Sequence, residues 1–81
     1  MKDNIIKLSE GAKCYVMDEL DYKSKKYIYC IEVDEDGEFI EDSIFTREIG
    51  LDDNTLIIKP IEDFEIASVV NNLFLARTIE Q

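Results

Sequence analysis

Seven of the twelve residues from Ile31 to Asp42, IEVDEDGEFIED, carry a carboxylate, and no Lys or Arg lies among them. Carboxylate oxygens are what hard cations bind, so calcium is the first chemistry this spacing raises. An EF-hand loop places oxygen ligands at positions 1, 3 and 5, glycine at 6 and a bidentate glutamate at 12. Counted from Glu32, the chain supplies Glu32, Asp34, Asp36 and Gly37 in those places, but the twelfth position is Ser43. A hydroxyl does not replace the bidentate carboxylate, the first position is Glu rather than Asp, and the flanks read as strands. No tight calcium site is expected, and no cofactor.

Two further readings of the same residues stand side by side. In one, Asp34-Glu35-Asp36-Gly37 is a hairpin turn, with Gly37 taking the positive φ that closes it. In the other, the charge is a binding face. Residues 1–31 hold five acids and six bases, net +1; residues 32–53 hold ten acids and only Arg47, net −9; residues 54–81 hold four acids and two bases, net −2. A field this localised steers a basic partner. The candidate face comprises Glu32, Asp34, Glu35, Asp36, Glu38, Glu41, Asp42, Asp52 and Asp53.

Other reactive constellations are thin. The chain has no histidine, so the commonest general base and metal ligand are missing. Cys14 and Cys30 lie sixteen apart without a C-x-x-C, which fits neither a zinc nor a thioredoxin-type site. They read as small buried hydrophobes. No serine has the glycines of a nucleophile elbow, and no Gly-rich phosphate loop is present. Adjacent acids such as Asp18/Glu19 and Glu41/Asp42 mean little without a cleft. The expectation is a non-catalytic protein.

These residues must be positioned by short strands followed by one helix. Asn4–Leu8 is a weak strand, followed by a Ser9-Glu10-Gly11 turn. Lys13–Leu20, Lys26–Val33, Ser43–Ile49 and Thr55–Ile61 are further strands, the second of these richest in β-branched and aromatic residues. From Asp63 the period changes: Ile66, Val69, Val70, Leu73 and Phe74 follow i, i+3, i+4, i+7, i+8. Asp63 is a suitable N-cap, Glu65 suits the positive end of the dipole and Arg77 the other. The fold class is α+β: an antiparallel meander of four to five strands (about 4–61) with one C-terminal helix (about 64–79) packed on one face.

A hairpin turning at Lys23-Ser24 sets Leu20 opposite Tyr27, Asp18 opposite Tyr29, Val16 opposite Ile31 and Cys14 opposite Val33. Tyr27, Tyr29, Ile31 and Val33 then form the more apolar side, and the two cysteines fall on opposite faces. Four tyrosines, Tyr15, Tyr22, Tyr27 and Tyr29, read as core and cross-strand packing. Tyr15 and Ile28 facing solvent, with Met17 and Cys30 beside them, would form an apolar patch suited to a protein partner.

The chain of 81 residues is one domain, 1–81, and buries about 60% of its unfolded surface, which leaves little room for a deep cleft. With 46% apolar residues it is too hydrophobic for disorder. A net charge of −10 repels phosphate, so direct nucleic-acid binding is disfavoured and a protein with a basic surface is the favoured partner. A homo-oligomer is compatible with the composition. No apolar run approaches the ~20 residues of a membrane span, and the start lacks an apolar export segment, which points to the cytoplasm.

The order of motifs resembles a family of small acidic proteins from Gram-positive bacteria and their mobile elements, domain of unknown function 1292. The residues that carry the likeness are Tyr15, Asp18, Glu19, Tyr22, Lys25, Lys26, Tyr27, Pro60, Glu62 and Asp63, within a match spanning about 6 to 75. The resemblance implies a strand, a short Tyr-rich hairpin, an acidic turn and a terminal helix. It implies no catalytic residue. Two functions remain: a binding protein acting through protein contacts, or an acidic inhibitor that mimics nucleic acid and occupies the basic groove of a defence nuclease.

Overall fold

The computed structural model describes residues 2–8 and 11–80, without the side chains of Ile79 and Glu80. Five strands, β1 (Ile5–Lys7), β2 (Lys13–Tyr22), β3 (Lys25–Val33), β4 (Phe39–Asp52) and β5 (Thr55–Lys59), precede one helix, α1 (Phe64–Glu80). The strands pair antiparallel in the order β1-β2-β3-β4-β5, a curled meander, and the class is α+β as expected. Ser9 and Glu10 of the expected first turn lie outside the described residues. Gly11, at φ 97°, donates its N–H to the carbonyl of Leu8 at 2.9 Å.

Both tight hairpins are two-residue turns with positive φ at each central residue: Lys23 and Ser24 at 50° and 68°, Asp53 and Asn54 at 50° and 66°. That is type I′ geometry, whose twist matches the flanking strands. Asp63 caps α1, its Oδ1 accepting the N–H groups of Glu65 at 2.9 Å and Ile66 at 3.2 Å.

The β2–β3 register follows expectation from the turn as far as Asp18, then changes. Tyr22 pairs with Lys25, Leu20 with Tyr27 and Asp18 with Tyr29, but Val16 pairs with Cys30, Tyr15 with Ile31 and Cys14 with Glu32. Met17 is the extra residue of a β-bulge. One inserted residue moves every later side chain to the other face. The expected Val16–Ile31 and Cys14–Val33 pairs are therefore absent, and Cys14 and Cys30 lie on the same face, fully buried in one cluster.

The bulge has a use. It lets β2 contribute Leu20 to the face under the helix and Val16 and Cys14 to the opposite one. Two small cores result. The first joins Leu8, Cys14, Val16, Ile28 and Cys30, with Ile6, Phe45, Ile49 and Ile58 packed against it. The second joins Tyr27, Val70 and Phe74, with Leu20, Tyr22, Tyr29, Ile61 and Ile66 around them. The helix crosses this second face against β2 and β4. Tyr29 and Phe74 stack with centroids 4.9 Å apart, and Thr46 Oγ1 donates to Asn71 Oδ1 at 3.0 Å. The buried stripe of α1 is narrower than the sequence suggests, since Val69 and Leu73 remain exposed.

Candidate functional site

The acidic stretch forms the β3–β4 hairpin, and the turn reading describes its geometry. Asp34 N donates to Glu38 O at 2.8 Å, and Gly37, at φ 81°, donates to Asp34 O at 3.0 Å. Asp34 Oδ1 accepts the N–H groups of both Asp36 and Glu38 at 2.9 Å. A carboxylate engaged by two backbone donors folds the turn locally. Ser43 has a comparable duty. Between the Ile31–Ile44 and Val33–Phe39 pairs, β4 carries four residues against the single Glu32 of β3. The Glu32 N–H is taken up by Ser43 Oγ at 3.0 Å, while that hydroxyl donates to Ile40 O. Asp42 sits in this bulge at φ 60°. Among the described residues, no three His, Cys, Asp or Glu side chains are grouped to hold a metal ion.

The nine residues of the candidate acidic face do not form one surface. Glu32, Asp34, Glu35, Asp36, Glu38, Glu41 and Asp42 gather at the β3–β4 end. Asp52 and Asp53 occupy the β4–β5 turn at the opposite end, ten residues of strand from Asp42, a contour of ~33 Å at ~3.3 Å per residue. They share that end with Lys23, Lys25 and Lys26. An open groove of about 660 Å³ lies there, lined in part by Lys25, Lys26, Glu48 and Lys59. Three of its charges satisfy one another: Glu48, nearly buried, holds Lys25 Nζ at 3.6 Å and Lys59 Nζ at 3.3 Å.

The expected apolar patch is also corrected. Ile28 and Cys30 are fully buried, because the sheet curls around their face. Burial pushes the Cys30 thiol well above its ordinary range, and the adjacent Cys14 adds to this while Arg47 opposes it. Neither cysteine is in a disulfide. Tyr15 and Met17 remain half-buried on the other side of the sheet.

There they belong to a different patch. The register sets Ile5 opposite Tyr15, Tyr15 opposite Ile31 and Ile31 opposite Ile44, one row across four strands. This row lies on the face that bears α1, past the helix. Ile5 is 59% exposed and Ile44 51%. Phe39, also 59% exposed, packs at the acidic end of the row with its ring centroid 5.6 Å from that of Tyr15. Where helix and row meet, Met17, Asp18, Tyr29, Ile44 and Thr78 line a cavity of about 230 Å³. Arg77 marks the same boundary, with Nη1 donating to Glu19 O at 2.9 Å and Nη2 3.1 Å from Asp18 Oδ1.

The Tyr15 hydroxyl donates to Asp3 Oδ1 at 2.6 Å. That bond, then desolvation and the charge of Asp3, raise the phenol above its ordinary value. Ile5, Ile31, Phe39 and Ile44 were not among the expected site residues. The available signal was Phe39-Ile40, two large apolar residues inside an acidic run with no strand face assigned to bury them.

No family model, no curated protein and no solved structure matches the chain. None of the described helices is long and apolar enough to cross a membrane.

Proposed function

We propose that this protein is a non-catalytic cytoplasmic binding protein that docks a basic protein segment on the uncovered half of its helix-bearing sheet face. The observation that carries the reading is the row Ile5–Tyr15–Ile31–Ile44 with Phe39 at its edge, bordered by the carboxylates of residues 34–42. An apolar centre with a polar, charged rim is the anatomy of a protein interface. Covering the exposed parts of Ile5, Phe39 and Ile44 contributes about 2–5 kcal/mol. Association itself costs at least about 4 kcal/mol, so this row alone supports a transient complex. The acidic rim adds rate: a localised negative field raises encounter with a cationic partner. Kinship with the family that the hairpin and Pro60 motifs resemble is part of this proposal.

The nucleic-acid-mimic reading draws on the same acids but needs no apolar contact. Both readings are tested by amide chemical-shift titration with a synthetic peptide bearing a Leu-Phe pair between two pairs of lysines. The expected perturbations fall on Ile5, Tyr15, Ile31, Ile44 and Phe39 as well as the acidic turn, and Phe39→Ser with Ile44→Ser weakens binding at least ten-fold. Binding undiminished by that double substitution, and abolished by salt, would move the site to the charges alone and favour the mimic.

A further inference from the structure

We infer that a second copy of this chain pairs with the exposed edge of β5, joining two sheets antiparallel across a two-fold axis. The sheet has two outer strands. β1 is three residues long, and short edge strands resist pairing. β5, Thr55–Lys59, is five residues of Thr-Leu-Ile-Ile-Lys, exposed along nearly its whole length, and Pro60 follows it rather than interrupting it. It has no bulge against β4. No charge sits within it before Lys59. The devices that usually protect an edge are missing from its interior.

The backbone geometry suits a copy of itself. In a two-residue hairpin the residues flanking the turn, here Asp52 and Thr55, exchange both ladder bonds, and the pattern alternates from there. Thr55, Ile57 and Lys59 therefore direct their N–H and C=O groups to β4, and Leu56 and Ile58 direct theirs outward. An antiparallel copy centred on Ile57 sets Leu56 against Ile58 of the second chain and the reverse, closing four hydrogen bonds. Centring on Leu56 or Ile58 keeps only that residue's self-pair and two bonds, because the next outward partner then falls on Asn54 of the turn or on Pro60.

The side chains agree with the same register. On the inner-core face, Ile49 pairs with Ile58 and Leu51 with Leu56 within one chain. Leu51 and Leu56 are 71% and 59% exposed. Across the two-fold axis the row becomes Ile49, Ile58, Leu56 and Leu51, the last two from the second copy. On the other face Ile57 meets its own equivalent beside Gly50, whose missing side chain leaves room that Ile57 already fills. Lys59 comes to lie against Thr55 of the second copy, next to the Asp52 that pairs with it. This is charge-complementary in a chain of net charge −10. The joined edge is well below the ~800 Å² per partner of a standard interface, so the dimer is weak.

Salt separates this surface from the one that docks a basic partner. Screening strengthens the pairing of two like-charged copies and weakens capture of a cation. The test is sedimentation velocity from about 1 μM to about 1 mM, a range chosen for a small interface, at low and high salt, with hydrogen exchange on the same samples. The expected result is a mass rising from 9.4 kDa toward twice that, at lower concentration when salt is high. The amides of Leu56 and Ile58 should gain at least ten-fold protection as it rises. Leu56→Pro removes an outward N–H while sparing the β4 ladder, and it should abolish the dimer with native circular dichroism. Ile57→Lys, which opposes two lysines across the axis, gives the same loss should the proline variant unfold. A monomer throughout, or a dimer that Ile57→Lys leaves intact, overturns the inference.

Discussion

The face of the sheet that carries α1 has two halves built from the same pattern. Toward the Lys23-Ser24 turn, Leu20, Tyr22, Tyr27 and Tyr29 lie under the helix, and Tyr27, Val70 and Phe74 are almost wholly buried. Toward the acidic turn, Ile5, Tyr15, Ile31 and Ile44 continue the same face with no helix above them, and Ile5 and Ile44 are more than half exposed. Alternation along a strand decides which face a side chain joins. What covers that face is decided by the reach of α1, whose 17 residues span ~25 Å at ~1.5 Å each. The boundary is held by Arg77 on Asp18 and Glu19. The covered half gives stability, and the uncovered half is the surface proposed for contact.

The comparison breaks most readily at its two phenylalanines. Phe74→Ala should cost about 3–5 kcal/mol, a large part of what a small domain has. Phe39→Ala should cost about 1 kcal/mol or less, since its ring is mostly in solvent already. Urea unfolding of the two variants measures the difference, and equal midpoint shifts would erase the distinction between the halves.

The boundary itself comes next. Arg77→Met leaves the buried Asp18 carboxylate without its cation and should cost about 1–3 kcal/mol. Asp36→Asn, on an exposed acid at the tip of the turn, should stay within about 0.5 kcal/mol. The same urea series reads both.

Thiol chemistry sharpens the other face. Cys14 and Cys30 are fully buried, and the thiolate of Cys30 is disfavoured. A colorimetric thiol reagent should label neither in native protein at neutral pH and both once urea unfolds it. Rapid labelling of the folded protein would show that the curled sheet does not enclose them.

The smallest effect lies at alkaline pH. Tyr27 is raised from 10.0 by burial first, then by the charges of Glu48, Tyr22 and Asp63; Tyr15 is raised chiefly by its hydrogen bond to Asp3. A raised folded value means that the native state holds the proton more tightly. That stability is complete below about pH 10, the unfolded tyrosine value, and is lost as pH rises through the folded values. Melting curves should therefore fall above that pH, and Tyr27→Phe should flatten the decline.

Much of the fold was legible because its signals are local. The β-branched and aromatic run of β3 marks a strand, Lys23-Ser24 marks a turn, and Asp63 precedes a helical period. The bulge at Met17 was not legible. Nothing in KCYVMDEL shows that Val16 and Leu20 serve different cores, because that follows from burial on both faces of the sheet. The error spread from there to the cysteine pair. The acidic turn was legible through Asp34 and Gly37, whereas the separation of Asp52 and Asp53 from it follows from the 14-residue length of β4. The exposed row was missed because neighbours across strands are set by register, which the bulge had altered.

The central claim is that one partner is steered by the acidic rim and held by the apolar row. It is tested most directly by association kinetics with a partner captured by the parent protein, at low and high salt. One variant combines Asp34→Asn, Asp36→Asn, Glu38→Gln, Glu41→Gln and Asp42→Asn; the other combines Phe39→Ser and Ile44→Ser. The charge variant should associate about ten-fold or more slowly at low salt, and the deficit should vanish toward 1 M, where the Debye length is ~3 Å. The apolar variant should associate at nearly the parent rate and dissociate at least ten-fold faster, since contact losses fall mainly on dissociation. An apolar variant that dissociates no faster than the parent contradicts the account.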